Sequence, residues 1–166
     1  MRASTVQSSL DHTRAPNNPF NPIAAKTRLR VNGTLYGSKS MTIVPTHKSD
    51  LNACEALAEC SDTEVAAHIR DLLVWTQDIN WPVARHVVNR LRRIEAPLIE
   101  PVREVLGGSD DVWKYFLVSS LLPVATESVR ESLRPDLVRI LQSPSSSEVS
   151  EGVVEAIRGV LSDAAV

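Results

Sequence analysis

The stretch "LLVWTQDINWPVARHVVNRL", Leu72–Leu91, decides the fold because it contains the end of one helix and the start of the next. The mostly polar run TQDIN separates Trp75 from Trp81, and Pro82 follows directly. Proline is favoured in the first turn of a helix, where its missing N–H group has no partner to lose. The pattern therefore predicts an inter-helix turn over residues 77–80.

Helical patterns continue from Asp50 to the C-terminus, and the strand-like alternation of apolar and polar residues is absent after Val44. The sequence therefore predicts an all-α domain. The predicted inward-facing residues are Leu51, Cys54, Leu57 and Ala58; Val65, Ile69, Leu72 and Leu73; Ala84, Val87, Val88 and Leu91; Leu98, Val102, Val105 and Leu106; Trp113, Phe116, Leu117, Ser120 and Leu121; and Val153, Ile157, Val160 and Leu161.

Helix ends are indicated by capping residues, prolines and glycines. A helix from Glu127 to Gln142 is expected to be broken or bent at Pro135. The run SPSSSE after it is interpreted as a linker. Gly107-Gly108 is the predicted end of the helix that begins at Pro97. The predicted helix starts are Asp50, Ser61 or Asp62, Asp78 or Asn80, Pro97, and Ser109 or Asp110. Ser61 and Glu64 are expected to form a capping box.

A recurring motif indicates a repeat. Asp78-x-x-Trp81 recurs 32 residues later as Asp110-x-x-Trp113, so Asp78 and Asp110 are expected to cap their helices in the same way. A hairpin period in this range is typical of HEAT-type α-solenoids. We expect a short HEAT-like α-α superhelix of about three helical hairpins plus a C-terminal helix, and a plain helical bundle stays open as an alternative.

Residues 1–40 differ from the rest of the chain. They carry six basic residues against Asp11 alone, are rich in Pro, Asn, Gly and Ser, and show no sustained period. We interpret them as a disordered basic tail preceding a helical domain over 41–166, with Met41 as a plausible start. Residues 41–166 carry twelve basic and nineteen acidic residues, a balance that argues against general nucleic-acid binding.

Composition favours a soluble globular protein, with 43% hydrophobic and 23% charged residues. No apolar run approaches the roughly 18 residues that a membrane span needs, and no signal-peptide core is visible. We therefore expect a cytoplasmic protein without a membrane segment. Cys54 and Cys60 lie too far apart on a helix for a disulfide, which suits a reducing compartment.

Three segments, "PTHKSD", "WTQDINWPVA" and "DDVWKYFLVSSLLP", occur in this order between Pro45 and Pro123. With this spacing the chain resembles a family of small, mainly bacterial domains of unknown function, from about Ile43 to the C-terminus. The resemblance implies a HEAT-like α-helical fold and implies no activity. The motif residues that it covers are His47, Lys48, Asp50, Trp75, Gln77, Asp78, Asn80, Trp81, Pro82, Asp110, Trp113, Lys114 and Tyr115.

No nucleophile motif, phosphate-binding loop, dinucleotide loop or paired-cysteine metal site is present, so we predict no catalytic residue, no metal and no cofactor. Three polar groups have two interpretations each. The Glu64/His68/Asp71 face has metal-ligand spacing but fits a solvated helix face. Arg85, Arg92 and Arg93 form either a phosphate- or acid-binding face or simply a solvent side. His47 and Lys48 form either a small polar site or a local cap with Asp50.

The sequence favours a non-enzymatic module that binds another protein, because tryptophans beside polar side chains are typical of interaction surfaces. The alternative is a nucleic-acid-binding or processing protein with a Gln/Asp/Asn/Trp pocket. Gln77 and Asn80 are the better functional candidates, since Ser109 and Val112 replace them 32 residues on. The candidate binding residues are Trp75, Gln77, Asp78, Asn80, Trp81, Arg85, Trp113, Lys114, Tyr115, His47 and Lys48, with Arg85 and Lys114 expected as surface charges.

We predict that residues 1–40 do not contribute to the stability of the domain. The fragment 41–166 should therefore melt within about 2 °C of the full chain, because loss of a packed segment lowers the melting temperature by several degrees in a domain of this size. Calorimetry of the two proteins under the same conditions measures this, and a drop of several degrees would mean that the segment packs on the domain.

Overall fold

The computed structural model describes residues 42–163, and predictions about residues 1–40 and Met41 lie outside this range. No strand occurs within it, so the all-α prediction is confirmed. A 3-10 turn covers Val74–Thr76, and a π-helical segment, Leu117–Leu121, continues into the 3-10 turn Leu122–Val124. The α-helices are α1 Leu51–Glu59, α2 Asp62–Ala66, α3 Ile69–Leu73, α4 Pro82–Leu91, α5 Ala96–Leu106, α6 Asp111–Phe116, α7 Glu127–Gln142, α8 Ser146–Ser150 and α9 Val153–Asp163.

Several predicted helix starts are confirmed by side-chain caps. The Asp50 carboxylate accepts a hydrogen bond from the N–H of Ala53 at the start of α1. Ser61 and Glu64 form the predicted capping box of α2, in which each side chain accepts from the other residue's backbone N–H. Asp110 caps α6, and α5 ends immediately before Gly107. These ends depend on neighbouring residues only, which is why the local sequence predicts them.

Three predicted segments differ in the structure. The second helical stripe is divided between α2 and α3, because His68 leaves the helical conformation with φ −121° and ψ 12°. The predicted linker SPSSSE overlaps the first turn of α8, whose start carries a Ser145–Glu148 capping box. α7 runs through Pro135 without a break, with this proline on its exposed side.

Burial also differs in two helices. In α1, Leu51 and Ala58 are exposed and Ala53 is buried instead, because α1 packs on α4 through the side that carries Ala53, Cys54 and Leu57. After α6 the wider π-helical turn rotates the apolar stripe by about one position. The residues buried there are Lys114, Leu117, Val118, Leu121 and Leu122, whereas Trp113, Phe116 and Ser120 are only partly buried.

The helices pack in two series around one leucine- and valine-rich core. In one series α1 packs on α4, α4 on the π-helical segment, and that segment on α9. In the other series α3 packs on α5 and α5 on α7. The other predicted stripe residues are buried, with Val105 and Leu161 only partly so. Among the helices of residues 42–163, none combines the length and apolar character that crossing a bilayer requires.

Two glycines near α9 differ in what they do for the fold. Gly152 joins α8 to α9 with φ +78°, a left-handed conformation that strains any other residue. A Cβ added at Gly152 would stand 3.5 Å from the Tyr115 ring, an ordinary contact distance. Gly159 lies inside α9, and a Cβ there would meet no atom of the described chain within 4 Å.

We predict opposite effects for alanine at these two glycines. Gly152→Ala should lower the free energy of unfolding by about 1 kcal/mol through backbone strain. Gly159→Ala should raise it by about 0.5–1 kcal/mol, because alanine restricts the unfolded chain and favours the helix. Urea unfolding of both variants measures the difference. Equal effects of the two substitutions would show that the bend at Gly152 does not require glycine.

Candidate functional site

Trp75 and Trp81 form an aromatic pair at the turn between the first helices and α4. Their ring centroids are 5.8 Å apart and the ring planes meet at 65°, an edge-to-face arrangement. Both side chains are half-buried. Such a geometry is favourable because the positive edge of one ring meets the negative face of the other. The pair therefore forms a defined, partly accessible apolar surface.

The turn over residues 77–80 is confirmed, but its hydrogen bonding differs from the prediction. The Oδ1 atom of Asp78 accepts from the backbone N–H and the Nδ2 atom of Asn80, each at 2.9 Å. Trp81 stands at the start of α4 and provides no side-chain cap. Asp78 is thus a turn residue, and its hydrogen bonds hold Asn80 within the turn.

The predicted equivalence of Asp78 and Asp110 is therefore wrong. Asp110 directly precedes α6 and accepts from the N–H of Trp113 at 2.9 Å. Asp78 lies four residues before Pro82, too early to reach the free N–H groups of α4. The two Asp-x-x-Trp segments share a spacing without sharing a structural role.

Two consecutive hydrogen bonds connect Trp113 to this turn. Its indole Nε1 donates to Oγ1 of Thr76 at 3.0 Å, and that hydroxyl donates to the carbonyl of Leu73 at 2.7 Å. Thr76 is 1% exposed, so its hydroxyl is satisfied entirely within the protein. Sequence reasoning missed Thr76, although a threonine in an otherwise apolar helix end is a sign of a buried hydrogen bond. The contact fixes α6 against the turn.

The remaining turn residues have different surroundings. The Gln77 side chain is half-buried, and within residues 42–163 it makes no hydrogen bond. Asn80 is exposed, with its amide held by Asp78. Gln77 therefore places a polar side chain beside the aromatic pair without a hydrogen-bond partner in the described part of the chain.

His47 and Lys48 lie in a loop that docks against α4. Nδ1 of His47 accepts from the N–H of Ser49 at 3.3 Å. The carbonyl of Lys48 accepts from the N–H of Val83 at 3.2 Å, which satisfies a free donor in the first turn of α4. Both side chains are exposed. The loop thus supplies by its backbone the cap that α4 lacks.

This loop is held by Asp50. Hydrogen bonds from the N–H and Oγ1 groups of Thr46 to Oδ2 of Asp50 measure 3.0 and 2.9 Å. These bonds, with the capping bond from Ala53, lower the pKa of Asp50 below its ordinary value. The carboxylate is favoured because each of these donors stabilises the charged form.

Lys114 is buried, at 5% exposure, so the expectation of a surface charge is wrong. Its Nζ atom lies 2.8 Å from Oδ1 of Asp111 and 2.7 Å from Oε1 of Glu148. The second oxygen of Glu148 accepts from the N–H of Ser145 in the capping box of α8. This buried ion triad joins α6 to α8. Glu148 lies 34 residues after Lys114 in the sequence, which is why the local sequence does not reveal the triad.

The three groups of the buried ion triad stabilise one another's charged forms. Burial opposes the charge of Lys114, but the hydrogen bonds to Asp111 and Glu148 outweigh it and raise the pKa of Lys114. The hydrogen bond from Lys114 lowers the pKa of Asp111. Burial alone would raise the pKa of Glu148, yet its bonds from Lys114 and Ser145 lower it.

Tyr115 points to another part of the domain. Its ring packs edge-to-face on Phe116, with centroids 5.4 Å apart, and lies beside Gly152 at the start of α9. It is 36% exposed. The structure therefore brings Trp75, Trp81 and Trp113 together at the turn and places Lys114 and Tyr115 on the α8–α9 side of α6.

The arginines of α4 and of the two residues after it differ in burial. Arg85, Arg92 and Arg93 are exposed. Arg90, which sequence reasoning missed, is 5% exposed and donates to the carbonyls of Leu57 at 3.3 Å and Cys60 at 2.8 Å. Its guanidinium also pairs with the carboxylate of Asp62, 2.7 Å away.

The possible metal ligands on α2 and α3 are separated by the break between these helices. Nδ1 of His68 lies 3.9 Å from Oδ2 of Asp71, and both side chains are about half exposed. Glu64 is instead used in the capping box of α2, where its hydrogen bonds from Ser61 lower its pKa. Over residues 42–163, no group of three or more His, Cys, Asp or Glu residues is placed to hold a metal ion.

We predict that Lys114→Met lowers the free energy of unfolding by about 3 kcal/mol, since it leaves two buried carboxylates without a cation. Arg158→Met is the matched control: its pair with Glu155 is well exposed on both sides, so the change should stay within about 0.5 kcal/mol. Chemical unfolding measures both variants, and equal effects would show that the triad does not stabilise the domain.

The pH dependence of the triad follows from its pKa shifts. Because the pKa values of Asp111 and Glu148 are lowered by folding, their stabilisation is present above about pH 4 and is lost as the pH falls through the folded-state values. Because the pKa of Lys114 is raised, its stabilisation is present below about pH 10 and is lost at higher pH. Unfolding curves between about pH 3 and pH 7 should therefore show a smaller acid loss in Lys114→Met than in the natural sequence.

Comparison with known proteins identifies the family of this domain. No curated protein matches the chain. Residues 43–161 match the family described as "Domain of unknown function (DUF5071)", a range that includes the docked loop, the aromatic turn, α4 and the buried ion triad. This range is well over half of the 166 residues. The chain therefore belongs to the DUF5071 family of domains of unknown function.

Proposed function

We propose that this domain is a non-enzymatic module that binds another protein through the turn between Trp75 and Trp81. The observation that carries the proposal is the aromatic pair beside Gln77, a polar side chain that the described part of the protein leaves without a hydrogen bond. Aromatic residues with adjacent polar groups are enriched where interfaces have their strongest contacts.

The rigidity of this surface supports the proposal. The Asp78 carboxylate holds Asn80 in the turn, and the Trp113 indole holds Thr76 at the other end. A surface that is ordered before binding loses less conformational entropy when a partner docks. The turn is therefore suited to recognising a partner of fixed shape.

We also propose that the domain is a short HEAT-like stack of helical hairpins. Support comes from side-chain links that join helices at similar separations along the chain. Arg70 pairs with Glu104, 34 residues on, and Arg103 pairs with Asp136, 33 residues on. The link from Lys114 to Glu148 also spans 34 residues. Equal separations are expected when similar hairpins stack on one another.

The non-enzymatic part of the proposal is supported by the use that the protein makes of its buried charges. Lys114 is bonded to two carboxylates, and Arg90 is bonded to Asp62 and to two backbone carbonyls. These groups serve to join helices. A reactive lysine, in contrast, is held in surroundings that lower its pKa, whereas the pKa of Lys114 is raised.

We propose a cytoplasmic location on the basis of the two cysteines. Cys54 is buried, Cys60 is half-buried, and both are free thiols. Burial raises the pKa of each thiol, which keeps it in its less reactive neutral form. Free thiols of this kind suit a reducing compartment.

We predict that Gln77→Ala weakens partner capture several-fold while changing the free energy of unfolding by less than about 0.5 kcal/mol. Quantitative affinity capture from the native cell, with the full chain as bait, measures the first effect, and urea unfolding measures the second. Gln142→Ala, at an exposed position near the end of α7, is the matched control and should capture the same proteins as the natural sequence. Equal yields from both variants would exclude the turn as the binding site.

Asp78→Ala tests the structural role of the turn separately from its proposed role in binding. It removes the two hydrogen bonds to Asn80 and should cost about 0.5–1 kcal/mol of stability. If Gln77→Ala destabilises the domain as much as Asp78→Ala does, the whole turn is structural and the site assignment fails.

A further inference from the structure

We propose that the exposed side of α4 binds an acidic segment of the partner protein, an inference that rests on the interaction function proposed above. The binding surface consists of Lys48, Trp81, Arg85, Asn89, Arg92 and Arg93, of which Trp81 directly precedes α4 and the last two directly follow it. We call it the α4 basic surface. Its occupant is a short, extended peptide segment that carries carboxylates at regular intervals.

The first argument is the distribution of unpaired positive charge. Residues 42–163 contain twelve lysines and arginines. Most of them form ion pairs within this range: Arg70, Arg90, Arg103, Lys114, Arg130, Arg134 and Arg158. The cations that form no ion pair within this range are Lys48, Arg85, Arg92, Arg93 and Arg139.

All of these except Arg139 belong to the α4 basic surface. A solvent-facing helix that served only solubility would resemble α7, where Arg130 and Arg134 each pair with a glutamate three residues earlier. In contrast, no acidic residue occurs between Asp78 and Glu95, a range that contains the whole of α4. Apart from Arg139, the unpaired positive charge of residues 42–163 is therefore concentrated at one place.

The second argument is the alignment of these charges on the helix. Arg85 and Arg92 are seven residues apart, which places them on nearly the same side and about 10 Å apart along the axis. Trp81 stands one turn before Arg85 and Asn89 one turn after it, so the row begins at the aromatic pair. The α4 basic surface is therefore continuous with the proposed binding turn.

The spacing of the two arginines selects the form of the ligand. In a polyproline-type extended chain, every third residue faces the same side with a rise of about 9 Å between them. Glutamates at such positions can each meet one guanidinium, and arginine binds carboxylates with two parallel hydrogen bonds. An acidic extended segment therefore fits the row of Arg85 and Arg92.

The charge of the rest of the domain favours a short acidic segment over nucleic acid. The folded part carries nineteen acidic against twelve basic residues, so a long polyanion crossing it would be repelled outside the α4 basic surface. At physiological ionic strength charges act over about 8 Å, so a segment confined to α4 experiences mainly the local arginines. Nucleic-acid binders instead present a broad basic surface.

The experiment titrates the full chain with a fluorescein-labelled peptide of repeated Glu-Pro-Pro triplets and follows fluorescence anisotropy at about 50 and 150 mM salt. Binding should weaken about tenfold in Arg85→Glu and in Arg92→Glu, because each reverses a charge that contacts the ligand. Arg139→Glu is the matched control, since it makes the same change of charge at the unpaired arginine of α7. It should weaken binding by less than about twofold, as a distant surface charge does. The Gln-Pro-Pro peptide should not bind.

Several outcomes would overturn the inference. These are no binding of the glutamate peptide at low salt, equal weakening by Arg139→Glu, or equal binding of the glutamine peptide. A labelled single-stranded oligonucleotide that binds more tightly than the peptide, and loses binding in Arg85→Glu, would assign the surface to nucleic acid instead. Circular dichroism of each variant confirms that α4 is folded.

The same variants separate this inference from the interaction function on which it rests. If affinity capture loses a partner with Gln77→Ala but retains it with Arg85→Glu, the domain binds its partner through the turn and the α4 inference alone fails. If affinity capture loses a partner with Arg85→Glu but retains it with Gln77→Ala, the turn is excluded as the binding site and the α4 inference remains.

Discussion

The unpaired backbone groups at helix ends are the constraint on which this structure depends. A helix leaves several N–H groups at its start and several carbonyls at its end without partners, and the short helices of this domain multiply such ends. Four starts are capped by Asp50, Ser61, Asp110 or Ser145, each through its own side chain. The start of α4 receives the carbonyl of Lys48 instead.

Two helix C-termini receive hydrogen bonds from arginines of other elements. Arg90 of α4 donates to two carbonyls at the end of α1, and Arg130 of α7 donates to the carbonyls of Pro123 and Ala125 in the preceding segment. A guanidinium at a helix C-terminus also complements the negative end of the helix dipole. The same contacts therefore cap a helix and pack it against its neighbour. The carbonyls at the end of α1 receive these hydrogen bonds only when α4 has docked on α1.

The sequence predicted those features that depend on neighbouring residues. The caps at Asp50, Ser61 and Asp110 and most of the apolar stripes follow from spacing alone. The burial of Lys114 and Arg90 did not follow, because their partners lie about 30 residues away. The start of α8 repeats the Ser-x-x-Glu pattern of α2, but few apolar residues follow it, so periodicity gave no signal of a helix. The turn over residues 77–80 was predicted from Pro82, whereas the role of Asp78 was not, since spacing does not reveal which residue begins a helix.

Buried and exposed charges thus divide between two tasks. Those that join helices form ion pairs: Lys114 has two carboxylates, and Arg103 pairs with Glu100 and Asp136. Ion pairs that cross between helices fix their registry, because removing one partner leaves a costly unpaired charge. The turn before α4 shows the same division within a few residues. The Asp78 carboxylate accepts hydrogen bonds from Asn80, whereas the Gln77 side chain makes no hydrogen bond within residues 42–163. Because the charges that cross between helices have partners within residues 42–163, the polar groups near Trp81 that have none are the ones on which the proposed contacts with a partner rest.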